Sequence, residues 1–204
     1  MSDKLRVGFV TSSLLLKTGF SNNARALIPY LYKTEKYEIH HLNQWVGDDP
    51  QLQKFPWHNE GTYRKGTFDE AKFNNPQEEG YRRHVAYGNC AAEDFILRNK
   101  LEVLILEEDG WAYEINTYLK SKWYPFLKEN VLLHTTMDSL PPLPLYKEYA
   151  ENCPNVWFWT SFAEKALKQE SFEKYNHVRT VHGCTNTKDY YPISLEEKLR
   201  LRKE

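Results

Sequence analysis

The chain has 204 residues, 41% of them hydrophobic, and a formal net charge of −1. That length suits one large domain; the apolar content supports a core and excludes general disorder; the balanced charge excludes nucleic-acid binding through a broad basic footprint. No apolar stretch approaches the roughly 20 residues that span a bilayer, and Met1–Arg6 has no signal-peptide pattern. Cys90, Cys153 and Cys184 are far apart and odd in number, which reads as reduced thiols in a cytoplasmic protein.

In chain order, Leu5–Val10 is a short apolar run that predicts a buried strand. Ala24, Leu27, Ile28 and Leu31 then mark one face of a helix over 20–33, with Pro29 expected to kink or tighten it. Tyr37–Leu42 reads as the next strand. Strand, helix and strand at this spacing form a βαβ unit and imply a parallel sheet. Residues 44–80 break the rhythm. They are polar and rich in glycine, yet Trp45, Phe55, Trp57, Tyr63, Phe68 and Phe73 run through them. This predicts an irregular, partly packed excursion with a short strand around Thr62–Phe68, either functional or a cover for the sheet edge.

Alternation resumes with a helix over Arg82–Arg98, a strand at Leu101–Leu106, a helix over Tyr113–Lys122 and a strand at Val131–His134. A short helix at Tyr146–Asn152, a strand at Val156–Trp159, a helix over Ser161–Ser171 and a last strand at Val178–Val181 complete the series. Ser161 with Glu164 three residues on forms a capping-box pattern. The expected fold class is α/β: a Rossmann-like, doubly wound, mainly parallel sheet of about six or seven strands.

Ligands of such sheets bind beyond the carboxyl ends of the strands. Four loops leave from those ends. Thr11–Ser21 contains Gly19, and Ser21 or Asn22 is placed to cap the following helix, whose free amides favour anions. The alternative is an ordinary βα turn. Leu106-Glu-Glu-Asp-Gly-Trp111 carries three acids, for which solvation is the default reading. Side chains alternate along an extended strand, so these acids cannot all face one site, and no metal site is expected. His134–Pro142 offers His134 and Asp138 as proton donor, acceptor or hydroxyl partners; the alternative is a satisfied buried histidine and a turn-starting aspartate. His182–Asn186 contains Gly183. His40 and His41 face opposite ways on one strand and receive no role. Walker, G-x-G-x-x-G, HExxH, G-x-S-x-G and CxxC patterns are all missing from the sequence.

Thr18-Gly-Phe-Ser-Asn-Asn-Ala24, Val131-Leu-Leu-His-Thr-Thr-Met-Asp138 and Val178–Pro192, in this order, resemble the first domain of family-4 type, retaining glycosyltransferases of the GT-B fold. Ser21 and Asn22 stand where a second glycine is often seen, Ser139 replaces a common glycine, and Asn186 replaces a usual aspartate. The resemblance implies a GT-B N-terminal domain over 1–192 and a charged tail over 193–204 that is similar to the start of a second, donor-binding domain. It implies transfer of a sugar from a nucleotide-sugar donor to an acceptor when that domain completes the cleft, in trans or otherwise, with self-association into a homodimer as another way to cover the exposed face. Asp138 and His134 take the catalytic positions; Gly19, Phe20, Ser21 and Gly183 the donor side; Glu108, Asp109 and Trp111 the acceptor side. No cofactor is implied. A non-catalytic sugar-binding or interaction module that kept the fold, and an unrelated Rossmann-like nucleotide-binding protein, remain the alternatives.

Overall fold

The computed structural model describes residues 4–113, 129–185 and 192–202. Seven parallel strands form one sheet in the order β3-β2-β1-β4-β5-β6-β7. They are β1 (Leu5–Ser12), β2 (Tyr37–Gln44), β3 (His58–Gly61), β4 (Val103–Glu107), β5 (Val131–Thr135), β6 (Asn155–Phe158) and β7 (Arg179–Thr180). The described α-helices are α1 (Gly19–Lys33), α2 (Glu70–Asn74), α3 (Glu79–Ala86), α4 (Ala92–Arg98), α5 (Pro144–Asn152), α6 (Ser161–Glu170), α7 (Phe172–Tyr175) and α8 (Leu195–Leu201). The sheet is thus the doubly wound α/β arrangement expected from the alternation of apolar runs.

Handedness divides the helices between the two faces. β1 connects leftward to β2 through α1, whereas every connection after β3 runs rightward, so right-handed crossovers put α1 on one face and the later helices on the other. The cores follow this division. Val7, Phe9 and Ile39 pack with Ala24 and Ile28 of α1. Val10, Leu42, Leu104, Leu133, Val156 and Phe158 pack with Phe95 of α4, Tyr149 of α5 and Leu167 of α6. Alternate residues of one strand therefore serve opposite cores, as the two-residue period of a strand requires. Truncating a wholly buried leucine such as Leu104 to alanine costs about 2–5 kcal/mol.

Several local expectations are corrected. The strand in the 44–80 excursion is His58–Gly61, not Thr62–Phe68. Its polar residues pair with β2 at the sheet edge, His40 opposite His58, so backbone pairing and not an apolar run creates it. Arg82–Arg98 is not one helix: α3 ends at Ala86 and α4 begins at Ala92. Gly88 between them takes φ +84°, a left-handed conformation that breaks the helix. Thr160, not Ser161, is the N-cap of α6, and its side chain makes no capping bond. Thr18 caps α1 in place of Ser21 or Asn22, accepting from the Ser21 amide at 3.0 Å. α1 runs continuously through Pro29. The helix expected over Tyr113–Lys122 lies almost entirely outside the described residues.

Candidate functional site at the carboxyl rim

The strands' carboxyl ends bring together a buried polar cluster. Thr11, Glu107 and His134 are register partners across β1, β4 and β5, so they form one row on the α1 face. Glu107 is fully buried. Its Oε1 accepts from Asn23 Nδ2 of α1 at 2.6 Å. Its Oε2, Thr11 Oγ1 and both ring nitrogens of His41 have no hydrogen-bond partner among the described residues. Burial pushes the Glu107 carboxyl up to about 8, opposed by the Asn23 bond and helped by nearby Glu108. Burial also holds His41 down to about 3; the Thr11 backbone opposes this but makes no hydrogen bond of proper geometry. At neutral pH the buried cluster on this face thus contains a protonated carboxyl and a neutral imidazole.

Glu108 points the other way, as alternation demands. It is 7% exposed, and its Oε2 accepts from Ser12 Oγ at 2.8 Å. Burial pushes it up to about 7. The expected solvation of this acidic run is therefore overturned for two of its three members. Asp109 is half-buried and accepts from the Thr136 hydroxyl. Asp138 is exposed and accepts from Tyr146 Oη at 3.2 Å. Burial and then Asp138 raise the Tyr146 phenol to about 12, with Asp109 contributing, so both aspartates act on one tyrosine. Among the described residues, no three His, Cys, Asp or Glu side chains are grouped as metal ligands.

Two of the four donor-side residues of the sequence reading, Phe20 and Gly183, meet around one side chain it did not select, Trp159. Phe20 packs on Trp159 with ring centroids 4.8 Å apart. His134 lies 5.7 Å from the same ring. A Cβ on Gly183 would approach it to 2.9 Å, so close packing requires glycine there. His182 Nδ1 donates to the Trp159 carbonyl at 2.8 Å, and the Cys184 amide donates to Asn23 Oδ1. The one available signal was an aromatic at the end of the Val156–Trp159 run. Gly19 is different. It sits in the first turn of α1, is exposed, and has open space where a Cβ would be, so no turn requires glycine. That opening leaves the helix start accessible to a close-approaching ligand.

The loop before α1 is held rigidly. Ser21 is buried, and its Oγ lies 2.5 Å from Ser13 O and 2.8 Å from Leu16 O. Arg25 Nη1 donates to Leu14 O at 2.7 Å and Leu16 O at 2.6 Å, and its Nη2 donates to Asn22. Both side chains brace the loop and neither is presented to the rim. His134 Nε2 donates to Val181 O at 2.8 Å, which fixes the neutral ring with Nδ1 as acceptor. Burial lowers its pKa. Below His134 the α1 face of the sheet forms an apolar groove of about 380 Å³, bounded by Leu27, Leu31, Ile105, Leu132 and Trp157.

No protein-family model matches the chain, and no curated protein matches it either. Among the described residues no helix is long and apolar enough to cross a membrane.

Proposed function

We propose that this chain is a glycosyltransferase-like domain of the GT-B type, transferring a sugar from a nucleotide-sugar donor to an acceptor once a C-terminal domain completes the cleft, in a cytoplasmic setting. One observation carries the reading: Phe20 and Gly183 converge on Trp159 on one side of the rim, while Glu108, Asp109 and Trp111 leave the end of β4 on the other. A donor and an acceptor placed on those two sides would meet near His134 and Asp138. The Ser21 amide is taken by Thr18, but by helix geometry the amides of Gly19 and Phe20 before it lack intrahelical partners and suit a phosphate oxygen. Transfer with retention builds charge on the leaving diphosphate, and removing one electrostatic stabiliser of such charge costs roughly 3 kcal/mol. Arg25 is committed to the loop, and Lys17 is exposed, so the second domain must supply most of the cationic stabilisation.

A product assay over a panel of nucleotide sugars tests this. Little transfer is expected from the chain alone. Transfer is expected after a GT-B second domain is supplied, and Asp138→Ala then reduces it. Robust turnover by the purified chain alone would contradict the reading. A non-catalytic sugar-binding module is the second reading. It is favoured by the carboxyl-rich rim, which repels a diphosphate and suits hydroxyl groups.

A further inference from the structure

An aromatic strip lies beside Glu108 and Asp109. Trp45 follows β2, Tyr87 follows α3, and Trp111 follows β4. Tyr87 contacts both indoles edge-on: ring centroids are 5.0 Å from Trp45 at 82° and 5.3 Å from Trp111 at 84°. The indoles are not core residues, being 40% and 47% exposed. Trp45 also adopts φ +64°, a left-handed conformation that a bulky side chain rarely takes. Its amide donates to Ala86 O at 3.1 Å, and neighbouring Gln44 donates to Tyr87 O at 3.1 Å. Holding a large apolar ring outward by a disfavoured backbone conformation needs a compensating use. The strip sits where β2 and β4 flank β1, the point at which the connections change face and where ligands of open sheets bind.

We propose that Trp45, Tyr87 and Trp111 form a stacking surface for a carbohydrate, with the half-buried Asp109 taking its hydroxyls. Sugar C–H groups carry partial positive charge and pack against the negative faces of aromatic rings, while the hydroxyls at the ring edge need polar partners. The strip supplies both within one patch. Its extension over three side chains fits two or more linked sugar residues better than a compact head group. A quaternary ammonium would want several ring faces enclosing one point together with a strong negative charge. Here Tyr87 meets each indole edge-on, so the rings lie along a strip and do not enclose one point, and Glu108 is buried against Ser12. The proposal deepens the transfer reading by naming the acceptor as a carbohydrate. It rests on that reading only for the word acceptor, because binding is measurable without donor.

The experiment is a titration of the full chain with cellotriose, chitotriose, maltotriose, xylotriose and mannotriose, without nucleotide sugar, followed by tryptophan fluorescence and saturation-transfer NMR. Tetramethylammonium chloride is run alongside. Binding of at least one trisaccharide in the millimolar range or tighter is expected. Trp45→Ala and Trp111→Ala should each weaken it about tenfold, Trp111→Phe should largely retain it, and Tyr30→Ala, an exposed aromatic on α1, should leave it unchanged. Circular dichroism verifies that each variant is folded. No trisaccharide binding up to about 10 mM overturns the proposal, as does binding indifferent to both tryptophan substitutions, or binding of tetramethylammonium alone. Trisaccharide binding with no transfer after a GT-B second domain and donor are supplied would instead count against the transfer reading.

Discussion

The side-chain amide of Asn23 donates to Glu107 Oε1 over 2.6 Å, joining α1 to the end of β4. The same amide accepts from the Cys184 backbone, so one asparagine ties the start of α1 to two strand-end loops. Replacing it strands a wholly buried carboxyl. Asn23→Ala should destabilise the fold by about 1–3 kcal/mol. Urea denaturation at neutral pH checks this, and an unchanged midpoint would show that the bond contributes nothing.

The pH dependence of stability follows from the buried titratable groups at this rim. In the unfolded chain Glu107 ionises in the ordinary carboxylate range; in the fold it does so only near pH 8. Between those values the folded chain holds a proton that the unfolded chain has lost, so stability falls as pH rises, and the loss is complete above about pH 8. Glu108 adds to the decline and completes it near pH 7. His41 works in the opposite sense at lower pH: from about 3 to the ordinary imidazole range the unfolded chain holds the extra proton, so stability rises with pH there. Glu107→Gln should therefore raise the melting temperature at alkaline pH more than at acidic pH. Melting curves across the range test this, and a constant offset would contradict it.

Arg25 illustrates why a cation near a glycine loop need not bind phosphate. Its guanidinium bonds Leu14 O, Leu16 O and the Asn22 side chain, all within the loop or the first turns of α1. Arg25→Ala should cost about 1–3 kcal/mol and expose residues 14–20 to limited proteolysis. Arg25→Lys should recover little, because an ammonium cannot reproduce the planar fork. Full recovery by lysine would mean that charge alone matters.

Gly183→Ala tests the convergence on Trp159. A Cβ there would come within 2.9 Å of the indole, too close for either group to stay in place. The indole should shift away from Phe20, changing tryptophan fluorescence with little loss of global stability. Gly19→Ala, which meets open space, should leave the spectrum unchanged. Equal spectra for all three proteins would deny the packing described.

The sheet was legible because its central strands are apolar runs whose two faces are both buried: Leu5–Val10, Val131–His134 and Val156–Trp159 announce themselves. β3 was not, since His58-Asn-Glu-Gly61 carries no hydrophobic pattern and exists through edge pairing with β2. The break at Gly88 was hidden because apolar spacing continues on both sides of it. At the rim, strand ends could be located but burial could not. Glu107 and Glu108 read as a solvated charge run, and their enclosure depends on Asn23 and Ser12, which arrive from other elements. Trp159 was missed because its partners Phe20, His134 and Gly183 are far away in sequence and meet only in the fold.

The most direct measurement is backbone-amide NMR during titration with a panel of nucleoside-diphosphate sugars. If the carboxyl rim is the ligand-binding face, even weak binding should perturb amides at Thr18–Asn23, Glu107–Trp111, His134–Asp138 and His182–Cys184, and leave the amino ends of the strands unmoved. Perturbations clustered instead around Leu5, Tyr37 and Val131, with the rim silent, would contradict the assignment of this face.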